Sequence, residues 1–249
     1  MVERAELERE VETLIAYADG VPRDDDVLFD RTDALVRLNP AMALEIGQTL
    51  LSSANPDRRE IAVNLIGAAA VIEATLRDVA LPSLRPILSD ARVGPLSAAI
   101  VQLGHLDDTR SRDEILAHAG HADSAVRHAV AFALPSVGLN EAALTVLREL
   151  MLDDDDDVRD WATFGLAALS GADDEATRNA LFDRVEDDVY EIRMEAIVGL
   201  ARRQDERVRP YLMLELDDPH HAESLDEAVD FLDHGTGRDW LNDSSAEAI

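Results

Sequence analysis

Apolar residues recur along this chain at offsets of three and seven, the spacing that keeps side chains on one face of an α-helix. The clearest instances are three copies of one phrase: DSAVRHAVAFALPSVG, DDDVRDWATFGLAALS and YEIRMEAIVGLARR. Their shared skeleton is V/I-R-x-x-A/V-x-x-x-L. Arg127, Arg159 and Arg193 anchor the copies, followed by Val130, Ala162 and Ala196, and then by Leu134, Leu166 and Leu200. The same register fits PDRREIAVNLIGAA through Arg59, Ala62 and Ile66. It fits VGPLSAAIVQLG more loosely, through Leu96, Ala99 and Leu103. Successive anchors are 37, 31, 32 and 34 residues apart, which is the length of one helix-turn-helix unit.

After each later copy comes a turn and a second apolar-periodic segment: DEILAHA, EAALTVLRELM, EATRNALFDRV and ERVRPYLMLEL. Pro210 in the last of these suits a first helical turn, where its missing N–H would have no partner anyway. Asp123 and Asp155 stand four residues before their Arg, where a carboxylate caps a helix start. Upstream, residues 5–18, 27–38 and 41–53 read as three helices, divided by VPRDDD and by Asn39-Pro40. Downstream, residues 222–232 read as a last helix and HGTGRDWLNDSSAEAI as a polar tail. A unit of this length cannot bury its apolar side alone, so copies must stack. The expected fold is all-α, an alpha-alpha superhelix: a single solenoid over 1–249, with N-terminal capping helices at 1–54, repeats at 55–218, and a C-terminal cap and tail at 219–249.

The phrase D-x-x-x-V-R-x-x-A-x-x-x-L, met by Asp155, Val158, Arg159, Ala162 and Leu166, resembles the HEAT repeat. In particular it resembles the short bacterial and archaeal repeats called PBS-lyase-like HEAT repeats. Asp123, Val126, Arg127 and Leu134 match it with Val130 in the Ala place, and the resemblance extends over roughly residues 55–233. It implies antiparallel helix pairs in which the repeat Arg and Asp hold neighbouring units together. Leu96 in an Arg place and Glu191-Ile192 before Arg193 depart from the pattern, so irregular packing is expected there.

The resemblance also implies that the second helix of each unit lines a concave face. Aligned on Ile115, Leu147, Leu181 and Leu212, all expected to be buried, the place three residues earlier holds Arg112, Leu144, Arg178 and Arg209. The place one residue later holds Leu116, Arg148, Phe182 and Met213. These columns adjoin on a helix surface and form a ridge of Arg with apolar side chains between, a composition enriched at protein interfaces. Arg112, Leu116, Arg148, Arg178, Phe182, Arg209 and Met213 are therefore candidate partner-binding residues. The alternative is structural: the arginines pair with Asp113, Glu149, Asp183 and Glu215, while Phe182 and Met213 fill gaps between repeats.

Composition narrows the partners. The 249 residues carry 52 acidic against 23 basic side chains, a formal net charge of -29, and every basic residue is Arg. Either the surface attracts basic partners, or the acidity is the habit of a high-salt cytoplasm or a high-GC genome. Both readings oppose general binding to nucleic acid, whose phosphates are held by Lys and Arg. Cysteine is absent, which removes disulfides, thiolate ligands and a cysteine nucleophile. The first twenty residues lack the basic, apolar and small-residue regions of a signal peptide. The most apolar run, residues 61–72, is too short for the roughly 20 residues of a membrane span. A soluble, cytoplasmic monomer is expected.

Catalytic and metal-binding patterns are thin. His118, His121, His128 and Asp123 could in principle approach a metal, and the acidic run at 153–157 could approach a cation. Neither H-E-x-x-H nor a complete calcium loop accompanies them, so no metal, cofactor or catalytic residue is assigned. G-x-S-x-G and Gly-rich phosphate loops are also missing. The pattern suits a non-catalytic scaffold or regulatory adaptor that binds a protein through the concave face. The resemblance leaves two alternatives, a lyase-like enzyme attaching bilin pigments or a HEAT-like DNA-repair enzyme. The second needs a basic face that the composition opposes.

Overall fold

A computed structural model describes residues 3–18, 20, 26–217 and 223–234. Among them are fourteen α-helices joined by turns and short 3-10 segments, with no strand. They sort into two compact units, residues 1–137 and 138–249.

The first unit holds α1 (Arg4–Ala18), α2 (Asp26–Leu38), α3 (Pro40–Leu50), α4 (Pro56–Ile72), α5 (Arg77–Leu84), α6 (Val93–His105), α7 (Arg112–Leu116) and α8 (Ser124–Val137). Helix starts are set by side chains ahead of proline: Asn39 Oδ1 accepts from Met42 N at 3.1 Å, and Asn55 Oδ1 from Asp57 N at 2.8 Å. Helices α4, α6 and α8 lie side by side, and α3 covers α4. Their shared seam is apolar: Ala62, Ile66, Ala99, Leu103, Val130 and Leu134 are fully buried. Leu96, in the Arg place of its repeat, is likewise buried at 3% exposure.

Two second helices here are short. The segment DEILAHA is helical only to Leu116 and then turns. Helix α5 contains Pro82 and runs into a 3-10 turn, Arg85–Ser89, because the proline ring removes a backbone donor and crowds the preceding turn.

The second unit holds α9 (Glu141–Leu150), α10 (Asp156–Ala167), α11 (Glu175–Phe182), α12 (Tyr190–Arg202), α13 (Arg209–Leu216) and α14 (Glu223–His234). Here α10, α12 and α14 stack side by side, α9 packs on α10, and α11 packs on both α10 and α12. The repeat positions Ala162, Leu166, Ala196 and Leu200 are fully buried between them. Close approach requires small residues: a Cβ on Gly199 would stand 2.6 Å from the Ala167 Cβ. The tail sequence from residue 235 onward lies outside the described residues.

Candidate interaction surface

The repeat arginines are structural. Arg59 Nη1 donates to the Ser53 carbonyl at 3.0 Å, Arg127 to His121 at 2.8 Å, Arg159 to Asp153 at 2.8 Å and Arg193 to Asp187 at 2.7 Å. Each first helix thus reaches back six residues to a carbonyl in the preceding turn, where the last second-helix carbonyls lack partners. The guanidinium also reaches forward. Arg59 grips Asp90 at 2.8 and 3.0 Å, Arg159 lies 3.6 Å from Asp187, and Arg193 meets Glu215 at 3.3 Å. One planar fork with five donors can serve both directions, which lysine could not do.

Residues that looked like possible ligands have structural partners too. Asp155 caps α10 through Val158 N at 3.3 Å, Asp153 accepts from Asp155 N at 3.0 Å, and Asp156 pairs with Arg159 at 2.7 Å. Asp123 accepts from Ala125 N at 3.0 Å. His121 Nδ1 accepts from Asp123 N at 3.0 Å, and His118 Nε2 lies 3.0 Å from the Leu88 carbonyl. Among the described residues no three His, Asp or Glu side chains converge as a metal would require, and no helix is long and apolar enough to cross a membrane.

On the second helices, Ile115, Leu147, Leu181 and Leu212 are buried, at 1% exposure or less. The flanking columns are only partly covered. In the first unit Arg112 and Leu116 are half-buried on α7, and Arg112 lies 3.2 Å from Asp113. In the second unit Arg148 meets Glu141 at 3.0 Å and Asp174 at 3.6 Å, and reaches Thr177 Oγ1 at 3.3 Å. Arg178 meets Asp173 at 2.7 Å and Asp205 at 3.6 Å, and donates to the Arg203 carbonyl at 2.6 Å. Arg209 pairs with Glu206 at 2.8 Å. The arginines are therefore paired, but only Arg112 with the acid its neighbourhood suggested. Glu215 pairs with Arg193 instead.

Phe182 of α11 meets Tyr211 of α13 edge-on, with ring centroids 5.7 Å apart, and Arg207 stacks 4.8 Å above the Phe182 ring. Met213 is 57% exposed and Leu214 68% exposed, so Met213 fills no gap.

Two features escape the apolar pattern. Arg203 is buried, and its six oxygen acceptors are the carbonyls of Leu166, Ala167, Ser170, Ala172 and Gly199 together with the Ser170 hydroxyl. Burial pushes this guanidinium down to about 10, which leaves it charged at neutral pH. On α10 and α12, burial pushes the Asp160 and Glu195 carboxyls above their ordinary values. Glu191 and Asp157 add to the rise at Asp160; at Glu195 Arg202 opposes it and Asp160 reinforces it.

Residues 81–167 match the family model of HEAT repeats. Over 91 residues the chain is 38% identical to protein YibA of Escherichia coli strain K12, covering 36% of this chain and 32% of that protein. The chain thus spans about a third of the length of the curated relatives it matches. The X-ray structure of Escherichia coli YibA is similar with a TM-score of 0.71 and 22% identity, covering 95% of this chain and 88% of that one. A designed armadillo repeat protein in complex with peptide (KR)4 is similar with a TM-score of 0.53 and 19% identity, covering 80% of this chain and 93% of that one. At these identities the structural likenesses speak to fold. Repeat phrase, stacked helix pairs and structural likeness together give this chain a helical-repeat fold, with HEAT repeats matched over residues 81–167.

Proposed function

We propose that the chain is a non-catalytic scaffold or regulatory adaptor. It holds a protein partner on the surface formed by its second helices, the concave side in HEAT-like proteins. The observation that carries this reading is the exposure of Met213 and Leu214 on α13, beside the Phe182–Tyr211 pair. Adjacent exposed apolar residues next to aromatic and Arg side chains have the make-up of an interface centre. The similar designed armadillo protein holds a peptide, which gives this fold a precedent for such work.

The test is affinity capture from the source cells, comparing the unaltered chain with an Arg209→Glu, Met213→Asp double variant. Both positions are exposed or half-buried, and the Arg209–Glu206 pair is a surface one, so folding should survive. Circular dichroism checks that it does. A partner retained by the unaltered chain and lost by the folded variant supports the reading, and equal retention of every captured protein removes this face from it.

A further inference from the structure

The α9–α11 face within the second unit carries an open groove of about 370 Å³, near the lower end of the size range of ligand sites. It is built from matching stripes. Thr145, Glu149 and Leu152 line it from α9 and the turn after it, and Ala176, Ala180 and Asp183 line it from α11 and its end. Offsets of three, four and seven place each stripe on one helix face. Two alanines on the α11 side leave the space open. Between α11 and α13, by contrast, Phe182 and Tyr211 meet and Arg207 covers the Phe182 ring.

The groove's charge is unbalanced. Its one cation, Arg148, is already held by Glu141 and Asp174. Glu149 and Asp183 are both exposed and neither makes an ion-pair contact among the described residues, although Arg207, held chiefly by Asp205, acts on Asp183 through its charge. Leu152, at 67% exposure, supplies an apolar wall. Asn179, also on the lining, accepts from Arg207 through Oδ1 at 2.8 Å.

We propose that this groove receives a Lys or Arg side chain from an extended, basic segment of the partner protein. The proposal rests on the scaffold reading and narrows the partner's chemistry. A long basic side chain has an apolar stem and a cationic head, and the groove offers an apolar wall and floor with two carboxylates. A purely apolar side chain would cover Glu149 and Asp183 without compensating them, and an acidic one would be repelled. The alternating stem-and-head chemistry therefore selects a basic segment among protein partners.

The probe is a fluorescein-labelled octapeptide of alternating Lys and Arg, titrated into the full chain and followed by fluorescence anisotropy. A Glu149→Gln, Asp183→Asn variant is compared with a charge-matched Glu6→Gln, Glu10→Gln variant of exposed α1 residues. The expected result is binding that weakens about tenfold or more in the groove variant and less than about twofold in the control. Equal weakening in both would mean that net charge alone attracts the peptide, which overturns the groove assignment. Failure of the unaltered chain to bind the peptide overturns the proposal as well. Partner capture that still depends on Arg209 and Met213 would leave the scaffold reading standing in either case.

Discussion

Arg203 donates through Nη2 to the carbonyl of Leu166 at 2.8 Å, so one side chain from the turn after α12 closes the end of α10. The same guanidinium serves Ala167 at 3.0 Å, Gly199 at 2.8 Å and Ala172 at 2.9 Å. A cation among helix C-terminal carbonyls is favoured by their partial negative charge, which offsets its burial.

Replacing Arg203 with Met should therefore cost about 3–5 kcal/mol, since several buried carbonyls lose their donor together. Arg203→Lys should recover only a small part, because an ammonium cannot span acceptors arranged around a planar fork. Urea denaturation of the full chain measures both. A loss below about 1 kcal/mol for Arg203→Met would show that water replaces the guanidinium without penalty.

Gly199 offers a test of sign. In an exposed helix, Gly→Ala gains up to about 1 kcal/mol. At Gly199 the new Cβ would stand 2.6 Å from the Ala167 Cβ and 3.0 Å from its Cα, so α10 and α12 must separate. Gly199→Ala should destabilise by about 1–3 kcal/mol. Gly120→Ala, where nothing lies within 4 Å, should be neutral within about 0.5 kcal/mol. Thermal melts of the two variants decide it, and a stabilised Gly199→Ala would contradict the packing.

The two neighbouring arginines of α4 should behave differently. Arg59 and Asp90 are 15% and 13% exposed, and their pair is bidentate. Arg58 pairs with Glu12, which is 56% exposed. Arg59→Met should cost about 2–4 kcal/mol by removing the Ser53 carbonyl's side-chain donor and leaving the half-buried Asp90 carboxylate with only the Arg92 backbone N–H, and Arg58→Met less than about 1 kcal/mol. Adding Asp90→Asn to Arg59→Met should restore part of the loss, a coupling that a double-mutant cycle reads directly.

Two sets of carboxyls should make stability pH-dependent in opposite senses. Asp160 and Glu195 have raised carboxyl values, chiefly through burial, so their folded forms hold protons more tightly than the unfolded chain. Stability therefore falls as pH rises from the ordinary carboxylate range through their folded values. For Asp205, the hydrogen bond from Arg207 is the largest influence and lowers the carboxyl value. Asp90 and Asp108 are also lowered: burial opposes the shift, but the hydrogen bonds and charge of Arg59 and Arg85 outweigh it. Their contribution is present above the unfolded carboxylate value of about 4 and is lost as pH falls through their folded values. Glu195→Gln should flatten the upper limb of a pH–stability curve and leave the lower one in place. An unchanged upper limb would remove Glu195 from this account.

Repetition made the fold legible from the sequence. The positions of Val130, Ala162 and Ala196, and of Leu134, Leu166 and Leu200, follow from helical spacing, and all six are fully buried. Asp155 as a cap was equally readable, because it acts within three residues of its own place in the chain, and the repeat arginines as architecture followed from the resemblance to HEAT repeats; their reach to Asp90, Asp187 and Glu215 is set by stacking. Stacking decided the rest. Arg148 is held by Glu141 and Asp174, and Arg178 by Asp173 and Asp205, rather than by Glu149 and Asp183, the acids adjacent or near in sequence. A long side chain chooses among every acid within its reach, and which acids those are depends on how the turns of successive repeats approach. Arg203 was invisible for the same reason. A charged residue reads as surface until packing surrounds it with carbonyls, and the acceptors that make its burial tolerable come from positions up to 37 residues away.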